Sequence, residues 1–428
     1  MAASSVLREP RMARRQMAAM GVCYALGTFN DNFFKQAVLL LAATAGMREF
    51  QGTATLLFAL PFVLFSAWAG WAADRFSKKT LIIIAKAIEV AAMLAGAMGI
   101  ATLQWGWILL MVFCMGLNST MFSPALNSSV PELFSTEHVP RVNAAFKLAT
   151  TATILLGIAL AGFALDQNWF DTPWPFGRVL VGAVALLAAV AGLAATLFLI
   201  GRPGMGSPNP FPWSGPLGSL RDLGRLRHDA PLLLALLAEA FFYFLSALLI
   251  LIINDLGGAQ LGFSYSATGP LSVALLAGVC AGSFMGARAI PESSHRRPAL
   301  AMLGVGLCLP LVCAVPLLKP PLNLYFLLSV YVAAGFCGGL YLIPLTSFIQ
   351  LRPAATDKGR ILGLSNFLSF MGILIAGQVF MLLAPLRPST AHGLLGFMAA
   401  AFGLYCLWAG RRNRDARDCR YGCNPDKC

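Results

Sequence analysis

Long apolar stretches recur along the whole of this 428-residue chain, and no other feature restricts its fold so strongly. About 20 apolar residues, each adding about 1.5 Å to a helix, are enough to cross the hydrocarbon core of a bilayer. Only 11% of the residues are charged, against about 25% in soluble proteins. We therefore expect an all-α, polytopic membrane protein with twelve transmembrane helices, over residues 18–45, 51–73, 80–103, 105–125, 144–165, 178–200, 231–254, 264–287, 299–317, 322–349, 361–384 and 391–410.

The basic residues lie mostly on one side of this topology. Of the 31 Lys and Arg residues, 25 fall at the N-terminus, in or beside the loops that follow even-numbered spans (with Lys147 near the start of the fifth span), or in the C-terminal tail, and two, Lys35 and Lys86, lie deeper inside spans. Only four lie on the opposite side: Arg48, Arg178, Lys319 and Arg387. Because loops rich in Lys and Arg stay in the cytoplasm, both termini are predicted to be cytoplasmic. This distribution accounts for the net charge of +13 without a nucleic-acid partner, and none is predicted.

The longest hydrophilic connection divides the chain into two sets of six spans. We expect a six-helix half at 1–200, a cytoplasmic linker at 201–230, a second six-helix half at 231–410 and a basic cytoplasmic tail at 411–428. Within the linker, residues 217–227 form a short amphipathic segment suited to a membrane surface. Two six-span halves joined by a cytoplasmic linker are typical of the major facilitator fold.

The first span carries an unusual group of polar residues at membrane depth, namely Asn30, Asp31, Asn32 and Lys35. A charged side chain there costs at least about 2.5 kcal/mol on insertion scales, so it normally faces a bundle interior or a wet cavity. Asp31 and Lys35 are four positions apart and share one helix face. Either they form a buried ion pair that only fixes helix packing, or this helix binds substrate. The flanking asparagines favour a substrate site.

Three further charged residues lie inside predicted spans. Lys86 and Glu89 are three positions apart on one face of span 3. Lys86 is close enough to the cytoplasmic end for its ammonium either to reach water or to line a cavity, whereas Glu89 is deeper and is expected to face the cavity. Glu239 is the only charged residue well inside the second half. Its carboxylate has three open roles: a partner for a lysine of the first half, a site for a cationic headgroup, or a proton site.

The loop between spans 2 and 3 reads Gly70-Trp-Ala-Ala-Asp74-Arg75-Phe-Ser77-Lys78-Lys79. It resembles the signature loop of the major facilitator superfamily, which has a glycine, an Asp-Arg pair, a small residue and two basic residues. The resemblance implies a gating role for this loop. The glycine would allow a close helix approach, the aspartate would act across a helix terminus, and the basic residues would hold the cytoplasmic face of the closed gate. Ser77 stands where the family usually has glycine.

Several segments together resemble a narrower family, the bacterial lysophospholipid transporters, and above all the transporter portion of proteins that fuse such a module to an acyltransferase and an acyl-carrier-protein synthetase. These segments are 30–37, 73–79, the Lys86-x-x-Glu89 pair, 122–125, 131–133 and 339–345. The resemblance implies movement of lysophospholipids, chiefly lysophosphatidylethanolamine, from the outer to the inner leaflet of the bacterial inner membrane, with a cytoplasmic acyltransferase as partner. It also places Asp31 in the headgroup site. Leu126 and Asn127 depart from the family, which commonly has a lysine and an aromatic residue there.

A lysophospholipid needs a polar patch for its headgroup and an apolar route for its tail. The residues expected to bind substrate are the polar ones inside the spans: Asn30, Asp31, Asn32, Lys35, Lys86, Glu89 and Glu239. The second half is nearly uncharged and rich in aromatic residues, so it is suited to bind the acyl tail of the lipid. The sequence therefore predicts a lysophospholipid flippase that works by alternating access.

Two other functions remain open. A proton-coupled multidrug or small-solute antiporter of the same fold would use the carboxylates of Asp31, Glu89 or Glu239. A non-transporting membrane scaffold would instead pass lipid to a separate acyltransferase. No enzymatic activity, cofactor or metal is expected, because the sequence offers no nucleophile–base pair, phosphate loop or metal-ligand set, and its three tail cysteines match no zinc spacing. The basic N-terminus also lacks the pattern of a cleavable signal peptide.

Overall fold

The computed structural model describes residues 10–134, 139–201, 211–226, 229–288, 296–353 and 358–420, and within these ranges the regular structure is entirely helical. Within these ranges thirteen α-helices follow one another: α1 (Pro10–Thr44), α2 (Arg48–Arg75), α3 (Lys78–Thr102), α4 (Trp105–Leu133), α5 (Val139–Leu165), α6 (Phe176–Thr196), α7 (Pro216–Arg225), α8 (Ala230–Asp255), α9 (Tyr265–Arg288), α10 (Arg296–Cys308), α11 (Leu322–Leu351), α12 (Lys358–Leu382) and α13 (Pro388–Arg420). A π-helical turn (Leu256–Gln260) extends α8, and a 3-10 segment (Leu309–Leu317) extends α10. The all-α prediction is confirmed.

Every described helix except the ten-residue α7 coincides with a predicted span. By length and composition, eleven of the described helices can cross a membrane. The predicted span that does not meet this measure is α1, because the polar residues between 30 and 36 interrupt its apolar run. The chain is a multi-pass membrane protein, and its span count is close to the predicted twelve.

Local sequence chemistry sets several helix ends. Asp229 caps α8, since its carboxylate accepts the backbone N–H of Leu232 at 3.2 Å. The α-helical geometry of α10 ends at Cys308, because Pro310 has no N–H to donate and disfavours α conformation in the residue before it. At the end of α3, Leu103 takes the left-handed conformation with φ of 55°, which turns the chain into α4. At these three places the local sequence therefore determines where the helix begins or ends.

The helices form two compact units. The first contains residues up to 218 together with 263–269, and the second contains 219–262 and the residues from 270 onward. In the first unit, α1 packs on α5 and α6, α2 packs on α4, and α3 packs on α4 and α6. In the second, α8 packs on α11 and α12, and α10 packs on α11 and α13. Each unit thus has its own set of helices from which a polar site can be built.

Residues 263–269 join the first unit through the end of α5. The carboxylate of Asp166, just after α5, accepts the backbone N–H groups of Tyr265 at 3.2 Å and of Ser266 at 2.6 Å. The hydroxyl of Tyr265 lies 3.0 Å from that of Thr44, so the two share a hydrogen bond. A side chain at Gly162 would overlap the carbonyl of Tyr265. Asp166 therefore satisfies the first N–H groups of α9 as a capping residue does.

Candidate substrate-binding site

Three polar residues of α1 lie on a side of the helix that the first unit leaves partly uncovered. Phe33 and Phe34 are buried in the core, whereas Asp31, Asn32 and Lys35 each keep part of their surface exposed. A helix that turns its aromatic residues into the core and its charges away from it can present those charges to a ligand. The predicted polar stripe is therefore accessible in part.

Asp31 and Lys35 do not form the ion pair that their spacing allows. The carboxylate of Asp31 accepts a hydrogen bond from the hydroxyl of Ser119 on α4. The ammonium of Lys35 lies 4.3 Å from the ring centroid of Phe58 on α2, which is within the range of a cation–π interaction. In the described part of the chain, each charge thus has a partner on another helix rather than on α1. This arrangement does not support the alternative of an Asp31–Lys35 pair that serves only packing.

Lys86 and Glu89 form an ion pair inside the first unit. Their Nζ and Oε2 atoms are 2.6 Å apart, and the two residues are 0% and 3% exposed. Glu89 also accepts the side-chain amide N–H groups of Asn30 at 3.1 Å and of Asn118 at 3.3 Å. Such additional hydrogen bonds are what a buried ion pair needs to offset its desolvation. The ammonium of Lys86 is enclosed, so it does not reach water, and the carboxylate of Glu89, which was expected to face a cavity, is enclosed with it.

The side chain of Lys86 fills a slot that glycines leave open. A methyl group added at Gly27 of α1 would come within 2.8 Å of Nζ, and one at Gly192 of α6 would come within 3.4 Å. The ammonium also lies 4.8 Å from the ring centroid of Phe122 on α4. Because α1, α4 and α6 all contact this one side chain of α3, the pair fixes the position of the polar stretch of α1.

Two amide oxygens beside Glu89 are buried without a hydrogen-bond donor among the described residues, namely Asn30 Oδ1 and Asn118 Oδ1. Each of these amides already gives its NH₂ group to Glu89. A buried polar atom without a partner costs about 1–3 kcal/mol. Both oxygens therefore have unused acceptor capacity inside the first unit.

Glu239 has a different environment in the second unit. Its carboxylate is on a residue that is 5% exposed, and it accepts hydrogen bonds from the hydroxyls of Thr346 on α11, at 3.0 Å, and Ser365 on α12. No salt bridge to Glu239 occurs within the described residues. Lys86 already has Glu89 as its partner, so the roles that stay open for Glu239 are pairing with Lys35, binding a cation of other origin, or binding a proton.

The signature loop joins α2 to α3 through a turn that needs no glycine. Ser77 precedes α3 with φ of −59° and ψ of 120°, a conformation open to any L-residue. Serine at this position is therefore tolerated where the family usually has glycine. The guanidinium of Arg75 lies 5.3 Å from the ring centroid of Trp71, Lys78 is buried, and a side chain at Gly201 would lie 3.0 Å from that of Lys79.

One expectation for this loop is wrong. A Cβ atom at Gly70 would meet no described atom within 4 Å, so no helix packs closely on this glycine. Gly70 itself is partly exposed, whereas Ala69 and Ala73 of the same helix are buried. Asp74 belongs to α2, but its side chain lies outside the part of the structure that is described. The gating roles of Arg75, Lys78 and Lys79 stay predictions.

Three residues beside the α1 charges were missed by the sequence analysis: Asn118, Ser119 and Phe58. The first two belong to a polar triplet, Asn-Ser-Thr, in the middle of an apolar span, which is the same signal that marked residues 30–32. Phe58 carries no such signal, because phenylalanine occurs throughout the spans. Only the packing of α2 brings its ring to Lys35.

His392 is a buried structural residue of the second unit. Its Nδ1 lies 2.8 Å from the carbonyl of Pro388, and its Nε2 lies 2.9 Å from the hydroxyl of Tyr331. The described residues contain no group of three or more His, Cys, Asp or Glu side chains placed to hold a metal ion. The other three histidines, at 138, 228 and 295, and the cysteines at 423 and 428 lie outside the described residues.

Comparison with known proteins assigns both a family and a set of relatives. The family model described as Major Facilitator Superfamily matches residues 17–377. A protein of Cronobacter sakazakii named lysophospholipid transporter LplT is 24% identical over 410 residues, which cover 94% of this chain and 97% of that protein. A Yersinia pestis protein of the same name is 24% identical over 352 residues and 81% of each chain.

Solved structures show the same fold at lower identity. A D-xylose–proton symporter superposes with a TM-score of 0.68 at 11% identity, over 91% of this chain and 97% of its own. A bacterial homologue of the human lysosomal transporter Spinster gives a TM-score of 0.65 at 15% identity, over 94% and 96% of the two chains. At such identities the likeness concerns the fold alone.

Proposed function

We propose, from the premise that this chain belongs to the major facilitator superfamily, that it moves lysophospholipids from the outer to the inner leaflet of a bacterial inner membrane by alternating access. The family and the transporter relatives make it a transporter and not an enzyme. The substrate class is supported by the name of the relatives that align over most of the chain. Lysophosphatidylethanolamine is the substrate that we expect first.

The observation that carries this proposal is the separate acid and base on the partly exposed side of α1. A phosphoethanolamine headgroup has one ammonium and one phosphate. Asp31 would accept hydrogen bonds from the ammonium, and Lys35 would bind the phosphate; Cβ atoms four residues apart on a helix are about 5–6 Å apart. Because Asp31 and Lys35 are not joined in a salt bridge, a zwitterionic headgroup can engage both without breaking one.

The remaining predicted residues act at different distances from the substrate. Asn32 shares the partly exposed side of α1 and would contact the headgroup. Lys86 and Glu89 are enclosed, so they would hold α1 in place from behind rather than touch the lipid. Asn30 is enclosed as well, so it would connect α1 to Glu89 through its amide N–H rather than touch the lipid.

The orientation and the partner belong to the same proposal. Both termini would lie in the cytoplasm, where a separate acyltransferase would re-esterify the arriving lysophospholipid. A C-terminal green fluorescent protein fusion is then expected to fluoresce, and an alkaline phosphatase fusion at the same residue to be inactive. The reverse pattern would contradict the orientation, and with it the assignment of the basic loops to the cytoplasm.

The test of function is inward movement of fluorescent lysophosphatidylethanolamine in proteoliposomes that contain only this protein. Lipid left in the outer leaflet is removed with albumin, and protein-free liposomes give the background. We expect movement above background that persists when a protonophore collapses the pH gradient. Movement of solutes that stops with the gradient, together with no lipid movement, would favour the antiporter. No movement of either kind would favour the scaffold.

A further inference from the structure

The second half repeats, in reduced form, the polar arrangement of the first. α1 contains Asp31-Asn-Phe-Phe and α8 contains Glu239-Ala-Phe-Phe. Asp31 accepts a hydrogen bond from Ser119 on α4, and Glu239 accepts one from Thr346 on α11. α1 and α8 are the first spans of the two six-span sets, and α4 and α11 are the fourth spans. Each set thus places a carboxylate of its first span against a hydroxyl of its fourth.

The two carboxylates differ in the cations available to them. Asp31 has Lys35 one turn along its own helix. In the second half, every Lys and Arg between 231 and 410 lies in a loop or in the first two residues of a span. The second unit therefore supplies hydroxyl groups to Glu239 but no cation at its depth. A buried carboxylate of this kind is strongly disfavoured unless a proton or a cation joins it.

We propose that Glu239, Thr346 and Ser365 form a second headgroup site, specific for a primary ammonium group; this inference rests on the proposed lysophospholipid transport. An ammonium has three N–H donors. The carboxylate offers acceptor positions, and each hydroxyl keeps a lone pair after donating its hydrogen. Thr346 and Ser365 are both partly exposed, whereas Glu239 is nearly buried. The ligand would therefore reach the carboxylate past the hydroxyl groups of Thr346 and Ser365.

This site discriminates among headgroups by their hydrogen-bond donors. A primary ammonium can donate to the carboxylate and to both hydroxyl oxygens. A trimethylammonium group carries the same charge but has no N–H to donate, and a glycerol headgroup has no cation at all. The site therefore favours ethanolamine headgroups over choline and glycerol headgroups.

The experiment measures binding of three lysophospholipids to the purified full-length protein in detergent, with ethanolamine, choline and glycerol headgroups on one acyl chain. The variants are Glu239→Gln, Ser365→Ala and, as matched control, Glu49→Gln at an exposed glutamate of α2. We expect Glu239→Gln to weaken binding of the ethanolamine lipid about tenfold, as for the loss of a hydrogen bond to a charged group, and to leave the glycerol lipid unchanged. Ser365→Ala should give a smaller loss with the same selectivity, and Glu49→Gln none.

Several outcomes would overturn this inference. Equal loss for all three lipids in both Glu239→Gln and Ser365→Ala would make the carboxylate structural. Unchanged affinities in Glu239→Gln would show that the headgroup does not reach it. A dependence of lipid binding on sodium or on pH that disappears in Glu239→Gln, with headgroup preference intact, would assign the site to an inorganic cation or a proton. If the wild-type protein binds none of the lipids, the proposed function itself fails, which is a separate result.

Discussion

The two halves of this transporter hold their membrane-depth charges in opposite ways. In the first half, two acids and two bases lie within α1 and α3, and hydrogen bonds from Asn30, Asn118 and Ser119 complete the group. In the second half, the carboxylate of Glu239, near the middle of α8, accepts hydrogen bonds from two hydroxyl groups, and Asp255 is buried at the end of the same helix. The first half can therefore bind a zwitterion with its own charges, whereas the second is suited to a cation that it does not supply.

Within the first half, the charges of α3 and those in the polar stretch of α1 differ in burial. Lys86 and Glu89 are buried and joined at 2.6 Å. Asp31 and Lys35 are partly exposed, and each contacts a different helix. Under the proposed function, charge at membrane depth serves stability at Lys86 and Glu89 and substrate binding at Asp31 and Lys35. The following predictions test this division, from the largest expected effect to the smallest.

Removing Lys86 should have the largest effect on stability. Lys86→Ala leaves Glu89 buried without a counter-charge, and breaking a buried pair in this way costs about 3–5 kcal/mol. Thermal unfolding of the purified protein in detergent measures the loss, with Lys35→Ala as the matched control at a partly exposed lysine. The double variant Lys86→Ala/Glu89→Ala should recover part of the loss. Equal unfolding temperatures for Lys86→Ala and Lys35→Ala would remove the distinction between the two pairs.

Filling the glycine slot should have an intermediate effect. A methyl group at Gly27 would lie 2.8 Å from the Lys86 ammonium, and overpacking of this kind costs about 1–3 kcal/mol. Gly27→Ala should therefore lower the unfolding temperature. Gly70→Ala is the control, because no described atom lies within 4 Å of its added methyl group. An unaffected Gly27→Ala protein would mean that the Lys86 side chain can move aside without cost.

Replacing Lys35 should change binding rather than stability. Lys35→Met keeps the length of the side chain and removes its charge, so the phosphate of the lipid loses its partner. We expect affinity for both the ethanolamine and the glycerol lysophospholipid to fall about tenfold, or about 1.4 kcal/mol. Equilibrium binding in detergent measures this, with the unfolding temperature recorded in parallel. A large fall in stability without a change in affinity would place Lys35 with the structural pair.

Replacing Phe58, whose ring contacts the Lys35 ammonium, should have the smallest effect on lipid affinity. Phe58→Leu removes a cation–π contact, which contributes about 0.5–1 kcal/mol at a partly exposed site. The affinity for lysophosphatidylethanolamine should fall two- to fivefold, and Phe58→Tyr should restore it because the ring remains. If Phe58→Tyr behaves like Phe58→Leu, packing of α2 rather than the ring face governs the effect.

The sequence predicted the fold well because apolar length alone determines where a chain crosses a bilayer. Eleven spans follow directly from their composition, and α1 was recognised although its polar centre lowers its hydropathy. The same polar centre pointed to the side of α1 that is partly exposed. The positions of the spans and the exposed side of α1 can therefore be predicted from the residue pattern of each helix alone.

The contacts between helices could not be predicted in the same way. Whether Lys86 reaches water or stays enclosed depends on Gly27 and Gly192, which come from α1 and α6. Asp31 has Ser119 rather than Lys35 as its partner, because the rotation of α4 brings that hydroxyl to it. The error at Gly70 has the same origin, since a family loop motif does not determine which neighbour approaches.

The most direct test of the central claim is the rate of inward movement of lysophosphatidylethanolamine in proteoliposomes containing Asp31→Asn. Asp171→Asn, at an exposed aspartate of the loop before α6, is the matched control. We predict that Asp31→Asn and Asp31→Ala/Lys35→Ala both lose most of the transport while Asp171→Asn keeps it, because the open charges bind the headgroup. Recovery of transport in the double variant would contradict this account, since it would make Asp31 and Lys35 a structural pair.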